Sequence, residues 1–365
     1  MENHENSSSL AMGKSAQEMG LPYVPECYKT PSSHRPILTP ETVDMPVINF
    51  ARLRQSEEQR SMVIKELGNA CRHMGFFRIV NHGICQSILD EALSSAFDFF
   101  KLPAEEKVKF MSNDVYKPVR YGTSLKDRID KIQFWRVFLK HYAHPLDDWI
   151  DSWPQNPPNY RKNMYAKSSD LKLMQIAWHY SVEVRKLALE LMGATTESLG
   201  IGPTYLAKKI NEGMQVMTVN CYPPCPQPDI TLGLPLHSDY SCFTILLQSS
   251  PGLQILDSKN GKWKSVPEVH GALEVHIGDH IEVLSKGIYK SVVHRVTLNS
   301  ERTRISLASL HSLELEEKME TAKELVEEQN PKRYKESSVK DFLDFISKND
   351  IGEGKSFMDT LKMKN

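Results

Sequence analysis

The stretch from about 214 to 312 limits the possible folds more than any other part of the chain. Short runs rich in β-branched and aromatic residues follow one another there: MQVMTVNCY, LHSDYSCFTILLQ, GLQILD, KWKSVP, ALEVHI, SVVHRVTL and RTRISLASL. Gly, Pro, Asn and Asp punctuate them, so no long helix can cross the region. About eight short strands in about a hundred residues predict an all-β barrel or jelly roll.

Strand geometry then decides which side chains can meet, because residues i and i+2 point to the same face. His237 and Asp239 project together at the start of one segment. Asn220 and Tyr222 share a face in VNCYPPC, and Arg304 and Ser306 share one in TRISLAS, continued by Ala308 and Leu310. His294 shares a face with Val292 and Val296. Each feature has a bland reading: H-x-D pairs arise by chance, and a histidine among valines ordinarily packs in a core. An arginine inside an alternating apolar strand is different, since its burial calls for an anion. Two histidines and one carboxylate that leave coordination positions open suit non-haem Fe(II). An α-keto acid and O₂ can fill those positions, and a guanidinium with a neighbouring hydroxyl suits the keto acid's far carboxylate.

The remaining chain reads as support. Residues 1–40 form a loosely held arm rich in Ser, Pro and Asn, and 41–165 an N-terminal part. There MPVINF reads as a first strand. A helix follows with Val63, Leu67, Ala70, Cys71 and Met74 on one face, ending at Gly75. FFRIVNHGI is a strand and turn, and a second helix carries Ile88, Leu89, Leu93 and Phe97. Residues 112–165 look irregular. A long supporting helix is expected within 166–205, from about 170 to 199, with Leu173, Ile176, Tyr180, Val184, Leu187 and Leu191 as its core stripe. The core spans 206–315 and a helical tail 316–365, in which ELEEKMETAKELVEE reads as a charged surface helix.

Lys plus Arg number 45 against 46 Asp plus Glu, so neither a nucleic-acid nor an anionic-membrane partner is expected. Apolar runs such as CFTILL are too short to span a bilayer. The first residues, MENHENSSSL, have neither the apolar core of a signal peptide nor the arginines of a transit peptide. The expected state is a cytoplasmic monomer with its six cysteines reduced.

The text NCYPPCPQPDITLGLPLHSD, GLQIL, IGD, YKSVVHRV and RISLAS, with GFFRIVNHGI and LPAEEK upstream, resembles the plant 2-oxoglutarate- and Fe(II)-dependent dioxygenases, which include the flavonoid-type enzymes. The resemblance covers nearly the whole chain beyond residue 40. It implies a double-stranded β-helix (jelly roll) with flanking helices, in the α+β class. By the same resemblance His237, Asp239 and His294 bind Fe(II). Arg304 and Ser306 hold the distal carboxylate of 2-oxoglutarate, Tyr222 adds a hydrogen bond, and Asn220 lies beside the co-substrate. O₂ is the oxidant, ascorbate the reductant, and the partner a small molecule, with a flavonoid or related phenolic ahead of a terpenoid or hormone. The outcome is hydroxylation, O-demethylation or desaturation. Phe138, Thr218 and Leu310 are the expected substrate walls.

His276 and Lys286 stand where relatives often carry Asn, and neither is expected to touch the ligand set. Rival readings are a zinc knuckle from Cys221, Cys225 and His237, a second metal set using His276 and His280, and a jelly-roll carrier without turnover. A relative using ascorbate in place of 2-oxoglutarate would share R-x-S. No dinucleotide, Walker, serine-hydrolase or zinc-protease motif is present.

Overall fold

In a computed structural model, residues 20–123, 130–164, 180–350, 352 and 354–363 are described. Strands β1 (Val47–Asn49), β2 (Phe76–Val80), β3 (Val119–Gly122) and β4 (Val137–His144) precede the barrel segment. Strands β5 (Gln215–Tyr222), β6 (Leu234–His237), β7 (Phe243–Gln248) and β8 (Leu253–Asp257) open it. Strands β9 (Lys262–Ser265), β10 (Leu273–Ile277), β11 (His294–Val296) and β12 (Arg304–His311) complete it. They form an eight-stranded sheet in the order β1-β2-β10-β7-β12-β5-β4-β3 and a four-stranded sheet in the order β6-β11-β8-β9. This is the expected jelly roll.

Alternation divides the large sheet. One face carries Met217, Val219, Ile245, Leu247, Ile305 and Leu307, all buried in the main core with Leu67, Ala92, Leu187 and Leu191 from the helices. The opposite face can be read from the strand register. One row holds Arg304 beside Tyr222; the next holds Phe138, Asn220, Ser306 and Gln248. A third runs Arg120, Lys140, Thr218, Ala308, Leu246, Glu274 and Arg78, and a fourth includes Val216, Leu310, Thr244 and His276. That second face looks into the roll and is rich in polar groups.

The helix Glu57–His73 begins where the Ser56 side chain accepts from the Gln59 amide, and its chain reverses at Gly75 with φ 66°. A Cβ at Gly75 would lie 1.9 Å from the Lys290 carbonyl oxygen, which no side-chain movement relieves. Gly75→Ala is therefore expected to destabilise by about 3 kcal/mol or more, against about 1 kcal/mol for Gly200→Ala. Gly200 also has positive φ but open space around it. Urea unfolding of the two variants checks the difference.

Several expectations are corrected. The region 112–165 is not simply irregular, since β3 and the eight-residue β4 lie in it. Lys140 and His141 mask the strand pattern; Lys140 Nζ donates to the Val115 carbonyl, and His141 Nε2 meets the Tyr160 hydroxyl. Residues 20–40 are tied down rather than loose. The Thr30 amide donates to Ile230, Thr231 to the Tyr28 carbonyl, and Gln254 to the Ile37 carbonyl. ELEEKMETAKELVEE is irregular rather than α-helical, with isolated bridges at Met319 and Glu327 and one short 3-10 turn at Lys323–Leu325; consecutive Thr321 and Ala322 are both buried, which no single helix face would give. Among the described residues of the tail, the α-helices are Val339–Lys348 and Phe357–Leu361. The supporting helix is described over Tyr180–Ser198; Leu173 and Ile176 lie outside the described residues, as do residues 1–19 of the arm.

Candidate active site

His237 closes β6 and His294 opens β11, and the register pairs the two directly. Asp239 sits two residues past His237 in the turn beyond β6, not on a continuous strand as the alternation argument had it. The turn still delivers it. Asp239 Oδ1 lies 3.7 Å from His237 Nε2 and 3.8 Å from His294 Nε2. One ligand atom from each of the three lies within 4.8 Å of the others.

The proton inventory of this triangle decides what fits it. His237 Nδ1 faces the Pro235 carbonyl at 2.8 Å, and His294 Nδ1 the Val292 carbonyl at 3.2 Å. A carbonyl accepts, so each Nδ1 carries the proton and each Nε2 presents a lone pair. Burial and the adjacent His294 imidazole lower His237 to about 4. Burial likewise lowers His294 to about 4, against the pull of Asp239. Burial pushes Asp239 up, but His294, His276 and His237 more than reverse this and hold it well below the usual carboxylate range. Two neutral imidazoles and an ionised carboxylate thus point three lone pairs at one point with no proton between them. Such a set fits a divalent cation with open positions.

The ring of His276 corrects a second expectation. Its Nδ1 lies 3.5 Å from Asp239 Oδ2, and its ring meets His294 edge-on at 4.6 Å between centroids. It therefore does touch the triad. Lys286 does not: its amine caps the Leu325 and Asn330 carbonyls. His280 turns away to pack edge-on against Tyr240, which separates the rival His276–His280 pair. Cys221 is buried in the main core and Cys225 in a second cluster with Val24, Tyr28 and Trp135, so the two do not form a knuckle.

On the large sheet opposite, Arg304 is 2 % exposed. Its Nε donates to the Ser250 carbonyl at 2.9 Å and its Nη2 to Gln248 Oε1 at 2.6 Å, while Nη1 has no partner. Gly252 makes room for it, since a Cβ there would lie 2.9 Å from Arg304 Cδ. Gly233 does the same for Tyr222, whose ring a Cβ would approach to 2.6 Å. Tyr222 lies beside the guanidinium, with 5.0 Å from Arg304 Cζ to the ring centroid. A buried guanidinium with an idle nitrogen, next to Ser306 and Tyr222, fits a carboxylate.

Both groups open into one cavity of about 350 Å³. Phe138, Thr218, Leu310 and Asn220 are among the residues that line it. Asn220 Oδ1 is held at 2.9 Å by Arg136 Nη1. Other lining residues were missed. Phe342, Phe345 and Phe357 come from the two tail helices, with Tyr240 stacked on Phe342 at 4.8 Å. The apolar spacing of Val339, Phe342, Leu343 and Ile346 was the available signal.

Comparison with known proteins agrees with this geometry. The model of the 2OG-Fe(II) oxygenase superfamily matches residues 213–312, and that of the non-haem dioxygenase in morphine synthesis N-terminal region matches 45–160. The chain is 48 % identical over 320 residues to flavanone 3-dioxygenase 3 of Oryza sativa subsp. japonica, covering 87 % of this chain and 93 % of that protein. This chain belongs to the 2OG-Fe(II) oxygenase superfamily. It is an Fe(II)- and 2-oxoglutarate-dependent dioxygenase, in a family for which ascorbate is the typical reductant. The oxygenase is also 44 % identical to 2-oxoglutarate-dependent dioxygenase 21, chloroplastic, of the same rice, over 90 % of this chain and 94 % of that protein. Its fold matches the crystal structure of JOX2 in complex with 2OG, Fe and JA with a TM-score of 0.79 at 28 % identity, covering 94 % of this chain and 95 % of that one. Among the described residues of the oxygenase, no helix is long and apolar enough to cross a membrane.

Proposed function

We propose that this oxygenase hydroxylates, O-demethylates or desaturates a flavonoid or closely related phenolic, releasing succinate and CO₂. The carrying observation is the cavity itself: three converging lone pairs on one wall, a buried guanidinium with an idle nitrogen on the other, and aromatic walls between. In this reading His237, Asp239 and His294 hold Fe(II). Arg304 Nη1, the Ser306 hydroxyl and the Tyr222 phenol hold the distal carboxylate of 2-oxoglutarate, and Asn220 borders it. The 48 % identity to a flavanone dioxygenase supports the phenolic class.

Reducing O₂ takes four electrons: oxidative decarboxylation of 2-oxoglutarate would supply two and the organic substrate the other two, with the iron that His237, Asp239 and His294 would hold supplying the site of oxygen activation and no net electrons. The chain's own task is placement. Asp239 contributes the single negative charge of the ligand set. The carbonyls of Pro235 and Val292 fix the tautomer and tilt of the two imidazoles. Phe138, Leu310 and the tail phenylalanines exclude water and grip a flat ring, while Thr218 and Lys140 offer hydrogen bonds to its oxygens.

The division of the chain into an arm, an N-terminal part of 41–165, a supporting helix within 166–205, a core of 206–315 and a tail belongs to the same proposal. The two family matches, at 45–160 and 213–312, support it. Action as a cytoplasmic monomer belongs to the proposal too; the six free cysteines suit a reducing compartment. The chloroplast is the rival compartment.

Purified protein supplied with Fe(II), ascorbate and 2-oxoglutarate, and offered phenolic and terpenoid libraries, tests the substrate class. Succinate release is expected to rise several-fold with a phenolic whose mass gains one oxygen, loses CH₂ or loses two hydrogens. Turnover confined to terpenoids would overturn the phenolic reading, and tight binding without succinate would favour a carrier.

A further inference from the structure

Behind Arg304 lies a buried polar chain that the catalytic reading does not use. Gln248 Oε1 accepts from Arg304 Nη2 at 2.6 Å, and Gln248 Nε2 donates to Glu274 Oε1 at 3.1 Å. Arg78 Nη2 reaches the same Glu274 oxygen at 3.4 Å and also donates to the Pro267 carbonyl. The four side chains come from β12, β7, β10 and β2 and cross the large sheet on its inner face. All are nearly sealed from solvent, with exposures of 2 % for Arg304, 6 % for Gln248, 3 % for Glu274 and 5 % for Arg78.

Buried polar groups are kept only where they are paired, and a chain like this is expensive unless it serves placement. Its charges do not balance. Arg78 and Arg304 bring two cations, and Glu274 at most one anion, since burial lifts its carboxyl to about 7 against the pull of Arg78. At least one positive charge is left over. It faces the cavity at Arg304 Nη1, where the distal carboxylate of 2-oxoglutarate would complete the set.

The same chain limits how Arg304 can bind. Gln248 occupies Nη2, Ser250 occupies Nε, and the backbone at Gly252 packs against the side-chain stem. These contacts pin the guanidinium at Nε and Nη2 and leave Nη1 as the nitrogen without a partner. A donor held at a fixed depth measures the length of the acid that reaches it.

We propose that Gln248, backed by Glu274 and Arg78, is a positioning residue that fixes the depth of Arg304 and thereby selects a five-carbon 2-oxo diacid as co-substrate. This rests on Arg304 being the anchor, and the test separates the two ideas. Gln248→Leu keeps the volume and removes the pin; Gln248→Glu keeps the size and offers Arg304 a competing carboxylate. KM for 2-oxoglutarate is measured alongside calorimetric binding of 2-oxoglutarate to the Fe(II)-loaded protein without O₂.

Losing a hydrogen bond to a charged group is expected to raise both KM and Kd about tenfold in Gln248→Leu, and Gln248→Glu is expected to raise them further. KM for the organic substrate should stay within about twofold in Gln248→Leu, a split that general destabilisation would not give. The preference for 2-oxoglutarate over 2-oxoadipate should narrow in the same variant. If Arg304→Ala raises the co-substrate KM while both Gln248 variants leave KM, Kd and that preference unchanged, the positioning role is overturned and the anchor stands. If Arg304→Ala changes none of them, the anchor reading has failed and the inference falls with it.

Discussion

Asp239→Ala is expected to lose iron and turnover together, with activity falling by at least about a thousandfold. The carboxylate is the only charged member of a set whose other two ligands are neutral imidazoles. A unit charge at about 4 Å contributes about 4 kcal/mol in the effective dielectric of a partly buried site, which is about three powers of ten in affinity. A divalent ion feels it twice over. His237 and His294 would remain with lone pairs aimed at the vacated point, but two neutral donors do not retain an iron ion against water. Iron content after anaerobic reconstitution, read beside succinate release, checks this directly. The variant should fold, because removing Asp239 leaves His276 unpaired but relieves a buried charge. A folded Asp239→Ala protein that kept one iron per chain and full turnover would show that the triangle is not the metal site.

The sequence reached the inner face of the roll because alternation is a local rule. The spacing of Arg304, Ser306 and Leu310 placed them on one face, and the register puts each in a row facing the cavity. Where backbone leaves the strand the rule stops. Asp239 reaches the site from a turn, and only the facing carbonyls and imidazoles show how it is aimed. His276 was misjudged for a related reason. It follows the strand period of β10, but nothing in one sequence says that β10 lies close enough to the His237–Asp239 turn for its ring to meet Asp239.

The same limit explains the tail and the middle of the chain. ELEEKMETAKELVEE has the composition of a helix, yet burial of neighbouring residues and bonds such as Ala322 amide to Leu284 carbonyl hold it irregular. Tertiary contacts override propensity there. Lys140 hid β4, since a lysine between apolar residues breaks the pattern unless a carbonyl is known to receive it. The polar chain behind Arg304 was invisible for the same reason: Gln248, Glu274 and Arg78 are far apart in sequence, and only the sheet order makes them neighbours.

Arg304→Ala should raise the 2-oxoglutarate requirement by about a hundredfold while lowering turnover at saturating co-substrate much less. A charge-assisted hydrogen bond lost from a buried site contributes about 1.5–3 kcal/mol, or about ten- to a hundredfold, and the unpaired carboxylate left in the cavity adds to that. The sharper readout is selectivity. With Arg304 in place, 2-oxoglutarate should be used far better than 2-oxobutanoate, which has no distal carboxylate. Without the guanidinium that carboxylate becomes a burden, and the ratio of the two should collapse toward one. Arg304→Lys should fall between, because an ammonium cannot keep the bonds to Ser250 and Gln248 while reaching the cavity. Exogenous guanidine should recover part of the loss in Arg304→Ala by filling the space beside Gly252. If the selectivity ratio survived intact, the distal carboxylate would have to meet another cation of the same cavity. Arg120, Arg136 and Lys140 line that cavity, and Arg136, which holds Asn220 two residues from Tyr222, is the first of them to substitute.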